Sequence, residues 1–383
     1  MAMEAAKGLT VATAIAMLAA ACADAPLQIT HSRSGAYETA LALDRDGFVV
    51  AWYDTRDGNA EIYARLLDRD GRPAGPERRL TRTPDSSYEP SLARLDDDVI
   101  VAWYEQREAK TDRTAKLGRW SREGRPIWER TIAPGSRNPV VRSDGHSIFC
   151  AWIQSDATGG ESVWGGWWNS EGRPQVSRRV APVSATTWNL NAMLDRDQGA
   201  WVVFDAVAST RNSELFAARL DEEGTDVIRL TRDDGIASKY PDVALSAEGL
   251  PALTWFDERD GNQEVYLYTG PLATASGMVD DRAVRVTTTP DESIGAYLAW
   301  NHDRIGLAWS DKIAGAHEIY FQPFDRYQVA LAPARRLTRN ETWSLVPAIV
   351  PWADGFALAW NEYRPESKVV HGGTSELAFS FVR

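Results

Sequence analysis

Hydrophobic and polar positions alternate with the two-residue period of a β-strand along nearly the whole chain, in pairs of short runs parted by polar turns. Residues 37–54, YETALALDRDGFVVAWYD, show the unit: an alternating run, the turn cluster DRDG, then a β-branched and aromatic run. Two such runs around a turn are the signature of a hairpin. The unit returns at 88–105, 137–154, 188–205, 240–257, 294–311 and 345–362 when the segments are aligned without gaps. Its anchors are Trp52, Trp103, Trp152, Val203, Trp255, Trp309 and Trp360, spaced by 49 to 54 residues. After each unit comes a polar loop and a third apolar run, such as EIYARLLD (61–68), ELFAARLD (214–221), EVYLYTG (264–270) or EIYFQPFD (318–325). A fourth run ends in R-L-T at 79–81, 229–231 and 336–338. Four antiparallel strands in roughly 50 residues, repeated around an axis, are the pattern of a β-propeller blade.

The seventh copy supplies only three strands before the chain ends at Arg383, and the missing one stands at the other end. PLQIT (26–30) matches the R-L-T runs, and Thr30 precedes Tyr37 by seven residues, as Thr81 precedes Tyr88 and Thr338 precedes Leu345. The expectation is an all-β, seven-bladed propeller of four-stranded blades beginning near residues 35, 86, 136, 187, 239, 293 and 344. Pairing of the N-terminal strand with the last blade closes the ring and removes the open edges on which sheets aggregate. The 16 tryptophans are then expected between blades, each covering its neighbour's face.

Ahead of this pattern, Lys7 is followed by an apolar, small-residue run from Gly8 to Ala21. The run is short for a membrane span and fits a secretory signal over residues 1–21. Leu18-Ala19-Ala20-Ala21-Cys22 resembles a bacterial lipobox, which would make Cys22 a lipidated N-terminus; cleavage after an Ala-x-Ala site is the alternative. Residues 22–34 then form a tether and the ring-closing strand, and 35–383 the propeller. The expected location is the bacterial cell envelope, periplasm or outer membrane, by lipid anchor alone, or the medium. With only Cys22 and Cys150 in the chain, a disulfide framework is excluded, and Cys150 in the apolar run SIFCAW reads as buried and inert. The net charge of −12, with both signs interspersed, excludes nucleic acid as the main partner and reads as a self-repelling, monomeric surface.

Residues 54–93, DTRDGNAEIYARLLDRDGRPAGPERRLTRTPDSSYEPSLA, resemble the repeats of TolB-type propellers, whose blades run from a D-R-D-G-N-x-x-I-Y phrase to R-L-T. The resemblance is good in blades 1 and 5, where the phrase returns as DERDGNQEVY (257–266), and fair in blades 4 and 6. It implies an exported propeller of the interaction type. The chain departs from TolB itself in having seven copies rather than six blades and no N-terminal α/β domain, and tryptophan usually stands where those repeats favour phenylalanine.

No catalytic signature stands out. There is no G-x-S-x-G elbow, no S-x-D-x-G-x-T-W box of sialidases, no phosphate-binding glycine loop and no paired histidines, so no cofactor or metal is expected. The position that closes each unit forms a ring on one face: Asp54, Glu105, Gln154, Asp205, Asp257, Asp311 and Glu362. It reads as an electronegative funnel or, since Arg56, Arg107, Arg259 and Arg364 follow two residues later, as carboxylates that each cap their own loop. DTRDGN and DERDGN also have oxygen ligands in the alternation a calcium loop uses, although they suit equally a tight Asx-capped turn with Gly58 and Gly261 at positive φ. Near the same face fall Tyr37, Tyr88, Trp188 and Tyr240 beside Glu38, Glu89, Asn189 and Asp242, a mixture of aromatics, acids and amides able to stack on sugars or anchor a peptide. The leading expectation is a non-catalytic envelope scaffold for a protein or glycan partner; the alternative is a secreted carbohydrate-binding or glycoside-hydrolysing propeller.

Overall fold

A computed structural model describes residues 25–383 except 33, 108–111, 183–186, 188, 198, 208–211, 222–224, 274–277, 314 and 365–373. It contains seven separate four-stranded antiparallel sheets. In blade 1 they run from the axis outward as Ala36–Asp44, Gly47–Asp54, Glu61–Asp68 and Arg78–Arg79. The innermost strands of blades 2 to 7 begin at Ser86, Ser136, Leu190, Ser238, Ser293 and Trp343. Each packs against the next, and that of blade 7 against that of blade 1, so the ring is closed.

Closure uses the N-terminal strand, as the sequence implies. Leu27 pairs with Phe379 and Gln28 with Ala378, and the Ile29 amide donates to the Leu377 carbonyl at 2.8 Å. Thr30 completes the join: its hydroxyl donates to Glu376 at 2.6 Å and accepts the Leu377 amide at 2.8 Å. The same latch recurs inside other blades and explains why the chain keeps writing R-L-T. Thr81, Thr231, Thr287 and Thr338 each donate to the glutamate that opens the third strand, Glu61, Glu214, Glu264 and Glu318. In blades 1, 5 and 6 the arginine two residues before the threonine (Arg79, Arg285, Arg336) also pairs with that glutamate, at 2.7–3.0 Å.

The second strand of each blade lies between two neighbours, and Gly47–Asp54 is buried at every position. Trp52 sits in one cluster with Ala357 and Phe379 of blade 7, Trp255 with Val203 and Leu215 of blade 4, and Trp360 with Ala308 and Phe321 of blade 6. Each therefore covers the preceding blade. Within its own blade Trp52 stacks on Tyr63 at 5.9 Å, Trp255 on Tyr266 at 5.7 Å and Trp309 on Tyr320 at 5.8 Å. Cys150 is fully buried, and burial pushes its thiol pKa up. Among the described residues no helix is long and apolar enough to cross a membrane; residues 1–21, expected from sequence to be a signal segment, and Cys22 lie outside them.

The ungapped alignment fails in two blades. Where Leu43 pairs with Phe48 in blade 1, Leu194 pairs with Ala200 and Leu245 with Pro251, so these two hairpins hold one residue more. In blade 4 the shift falls on the second strand: Phe204, not Val203, stacks on Phe216 at 5.7 Å and packs against blade 3. In blade 5 it falls on the first strand and changes which side chains reach the axis.

Candidate functional site: the mouth of the central channel

Every innermost strand except that of blade 4 breaks its ladder by a bulge close to its start, for example between Tyr37 and Ala40 or Tyr88 and Ser91. A bulge re-aims the residue it displaces. Here the displaced residues take left-handed backbone: Glu38 (φ 55°), Glu89 (52°), Asn138 (47°), Tyr240 (54°) and Val346 (52°), with Gly295 (59°) in blade 6. The recurrence marks a device of the fold, since the conformation is rare for any residue but glycine. With Asn189, these positions ring an open cavity of about 1080 Å³ in the channel. Blades 1 to 5 contribute a polar arc of two glutamates, two asparagines and a tyrosine; blades 6 and 7 contribute glycine and valine.

Four further polar side chains converge on that arc: Tyr104 and Arg113 from blade 2, Arg137 and Glu161 from blade 3. Arg137 is fully used, donating to Glu161 (2.8 and 3.2 Å), to Asn138 (3.0 Å) and to the Thr187 carbonyl. Arg113 is not. Its Nε donates to Gln106 at 2.9 Å and its guanidinium lies 5.6 Å from the Tyr104 ring centre, but its terminal nitrogens have no partner among the described residues. Glu38 accepts the Glu89 main-chain N–H, and its Oε2 has no partner among the described residues; burial and then the neighbouring Glu89 charge push its pKa well up. Burial raises Glu89 too, opposed by Arg137, Arg113 and the Tyr104 hydroxyl at 3.4 Å.

Tyr240 is the outward-facing aromatic of the mouth, 41% exposed, its ring stacked on Phe256 at 5.4 Å. Asp205 holds it there: one carboxylate oxygen accepts the Tyr240 amide at 2.9 Å and the other the Asn189 amide at 3.0 Å. Deeper in the channel Arg142 donates to the Ala192 carbonyl at 2.8 Å and to Asn191. Asn191 in turn donates to Asp242, which also accepts the Leu298 amide from blade 6 at 2.8 Å. Burial pushes Asp242 up to about 6.

The residues singled out from sequence divide accordingly. Glu38, Glu89, Asn189, Tyr240 and Asp242 line the cavity. Tyr240 stands in register with Glu38 and Glu89, not with Tyr37 and Tyr88, because of the longer hairpin. Tyr37 and Tyr88 instead fill the seam between blades 1 and 2, Tyr37 stacked on Tyr53 at 5.2 Å and Tyr88 edge-on to it at 5.1 Å. Trp188 lies outside the described residues. The expected ring of acids needs one correction: Ala206, opposite Glu214 as Asp54 is opposite Glu61, occupies the blade 4 position, and Asp205 is the clamp just described. Asp54, Asp257 and Asp311 are buried, accepting the indole N–H of Trp52, Trp255 and Trp309 (3.1–3.3 Å) and the hydroxyls of Ser32, Ser238 and Ser293 (2.8–3.2 Å). Glu362 takes Trp360 and Ser344 likewise; Glu105 pairs with Lys116 at 3.2 Å. Arg56 and Arg259 close the loops over Asp54 and Asp257, whereas Arg107 turns to Asp85. These carboxylates are spent on the scaffold.

The D-x-R-D-G-N loops are self-contained in the same way. Asp57 accepts the Tyr63 hydroxyl and pairs with Arg79 at 3.0 Å, and Asn59 donates to the Thr83 and Asp85 carbonyls at 2.9 and 2.6 Å. Gly58 and Gly261 take φ of 102° and 97°. Among the described residues no group of three or more acidic, histidine or cysteine side chains could hold a metal ion.

Sequence reading missed Arg113, Arg137, Tyr104, Glu161 and Arg142, because nothing local distinguishes them from other strand residues. No protein-family model and no curated protein matches the chain. Among solved structures it is similar to a protein of unknown function from Dyadobacter fermentans (12% identity, 94% of this chain and 97% of that one, TM-score 0.58). It is also similar to an ulvan lyase, a polysaccharide lyase bound to -[GlcA(1-4)Rha3S]- (10% identity, 92% and 95%, TM-score 0.58). An endo-arabinase from Bacteroides thetaiotaomicron matches more loosely (8% identity, 66% and 99%, TM-score 0.40). At these identities the likeness is one of fold.

Proposed function

We propose that the chain is a polysaccharide-binding propeller that takes an acidic glycan at the mouth of its central channel. The observation that carries the reading is the meeting, in one open cavity, of guanidinium donors on Arg113 that have no partner among the described residues, an outward-facing ring on Tyr240, and amides and carboxyls from adjacent blades. A sugar presents an apolar C–H face that an aromatic ring can cover and hydroxyls that amides and carboxyls can bind. A uronate or sulfate adds the planar anion a guanidinium fork matches best. Such a cavity, with a few convergent polar groups, is the ordinary form of a ligand site. The polysaccharide lyase among the neighbours of this fold supports the reading without determining the ligand.

Thr30 meets Glu376 at the end of the blade where the mouth opens, while Leu27 pairs further down the strand with Phe379. A lipid on Cys22, as expected from sequence, would therefore hold the mouth away from the membrane. Titration calorimetry with oligogalacturonate and a neutral xylo-oligosaccharide tests the proposal. The acidic ligand binds, and Arg113→Ala or Tyr240→Ala weakens it at least tenfold, about 1.4 kcal/mol, with little change in melting temperature. Equal affinity in the variants would place the glycan away from the mouth, and no binding to any glycan would favour the protein-binding scaffold instead.

A further inference from the structure

We infer that Glu38 and Glu89 are an acid–base pair that hydrolyses a glycosidic bond of the saccharide held at the mouth. The inference rests on the reading of the mouth as a saccharide site and adds chemistry to it. The two carboxyls come from the same bulge position of adjacent blades, so the backbone sets their separation, and both line the cavity. Their surroundings differ. Among the described residues Glu38 forms no ion pair and keeps Oε2 unpartnered, in a cavity lining it shares with Glu89, Tyr104 and Tyr297. Glu89 is also raised by burial, but unlike Glu38 it has the charges of Arg137 and Arg113 and the Tyr104 hydroxyl at 3.4 Å opposing that rise. Two carboxyl groups whose environments part their proton affinities are what a glycosidase needs, one to give a proton and one to take it.

In the step, Glu38 gives its proton to the glycosidic oxygen as the bond from that oxygen to the anomeric carbon breaks, and the bonding pair stays on the departing oxygen. A water from the open cavity attacks the anomeric carbon and gives its proton to Glu89. One water is consumed, two sugar ends are released, and Glu89 returns its proton through solvent to Glu38. No redox partner or further reactant is required.

The experiment incubates the full chain with polygalacturonate, chondroitin sulfate and xylan, reading new reducing ends and the near-ultraviolet absorbance of unsaturated ends. Reducing ends without unsaturated product are expected, with a bell-shaped pH profile. Glu38→Gln and Glu89→Gln should each lower kcat at least about 100-fold with KM within a few-fold, and Glu38→Gln should lose the alkaline limb. Both replacements keep the shape of the side chain and remove its proton transfer; melting curves check the fold, and either variant alone suffices if the other fails to accumulate. A wild-type chain that binds glycan but releases no ends, releases unsaturated ends, or keeps its kcat in the glutamine variants would overturn the hydrolytic pair and leave the binding reading standing. Absence of binding to all three would remove both.

Discussion

The glutamate near the start of the third strand in blades 1, 4, 5, 6 and 7 shows how one residue can serve the fold in one blade and strain it in another. Glu61, Glu264 and Glu318 have an arginine and a threonine; among the described residues Glu214 has Thr231 alone, Arg229 pairing with Asp233 at 3.7 Å, and its Oε1 lacks a partner. Burial, with the charges of Asp234, Asp233 and Asp257 adding, pushes Glu214 up from 4.5 to about 8. The folded chain thus keeps a proton that the unfolded chain releases, so this group's contribution is fully present below about pH 4.5 and is lost as pH rises through about 8. Glu214→Gln should flatten that decline in denaturant unfolding between about pH 5 and pH 9; an unchanged slope would contradict it. At this scale the sequence was legible only where the local phrase is complete. One additional turn residue moved Phe204, Asp205 and Tyr240 off their expected positions, and a shift by one exchanges the faces of a strand.

At the scale of the element, the repeated words turned out to have definite work. R-L-T is the latch that fastens a two-residue outer strand, and D-G-N is the clasp that fixes the loop to the next blade. Both could be read from sequence because each acts within about 30 residues, and the join of Thr30 to Glu376 could be read by matching it to the others. Thr30→Val takes the side-chain acceptor from the Leu377 amide and one of two donors from Glu376, which keeps the Ser32 amide, and should cost about 1–3 kcal/mol. Hydrogen exchange should quicken at Ile29 and Leu377 before the remaining blades; uniform exchange would mean closure is not held there. Trp255→Ala, in a fully buried site between blades 4 and 5, should lower stability by about 3–5 kcal/mol, read from urea unfolding. A loss below about 1 kcal/mol would contradict the role of the tryptophans as packing between blades.

The whole molecule holds what no segment reveals. Seven hairpins of nearly equal length predict a ring, yet not that bulges would swing Glu38, Glu89, Asn138 and Tyr240 into one mouth, nor that Arg113 would reach it with donors to spare. That convergence depends on distant residues meeting across blades, for which a single chain carries no spacing signal. The aromatics and acids noticed from sequence were partly those of the mouth and partly those of the seams, because both share the alternation of a strand and only register separates them. The claim on which the account depends is that this mouth, and not the seams or the outer rim, takes the glycan. A crystal structure of the full chain with a saturating acidic oligosaccharide tests it most directly. The account predicts a sugar ring against Tyr240 with its anionic group on the Arg113 guanidinium; ligand bound only at the rim or the opposite face, or an empty mouth at saturation, would contradict it.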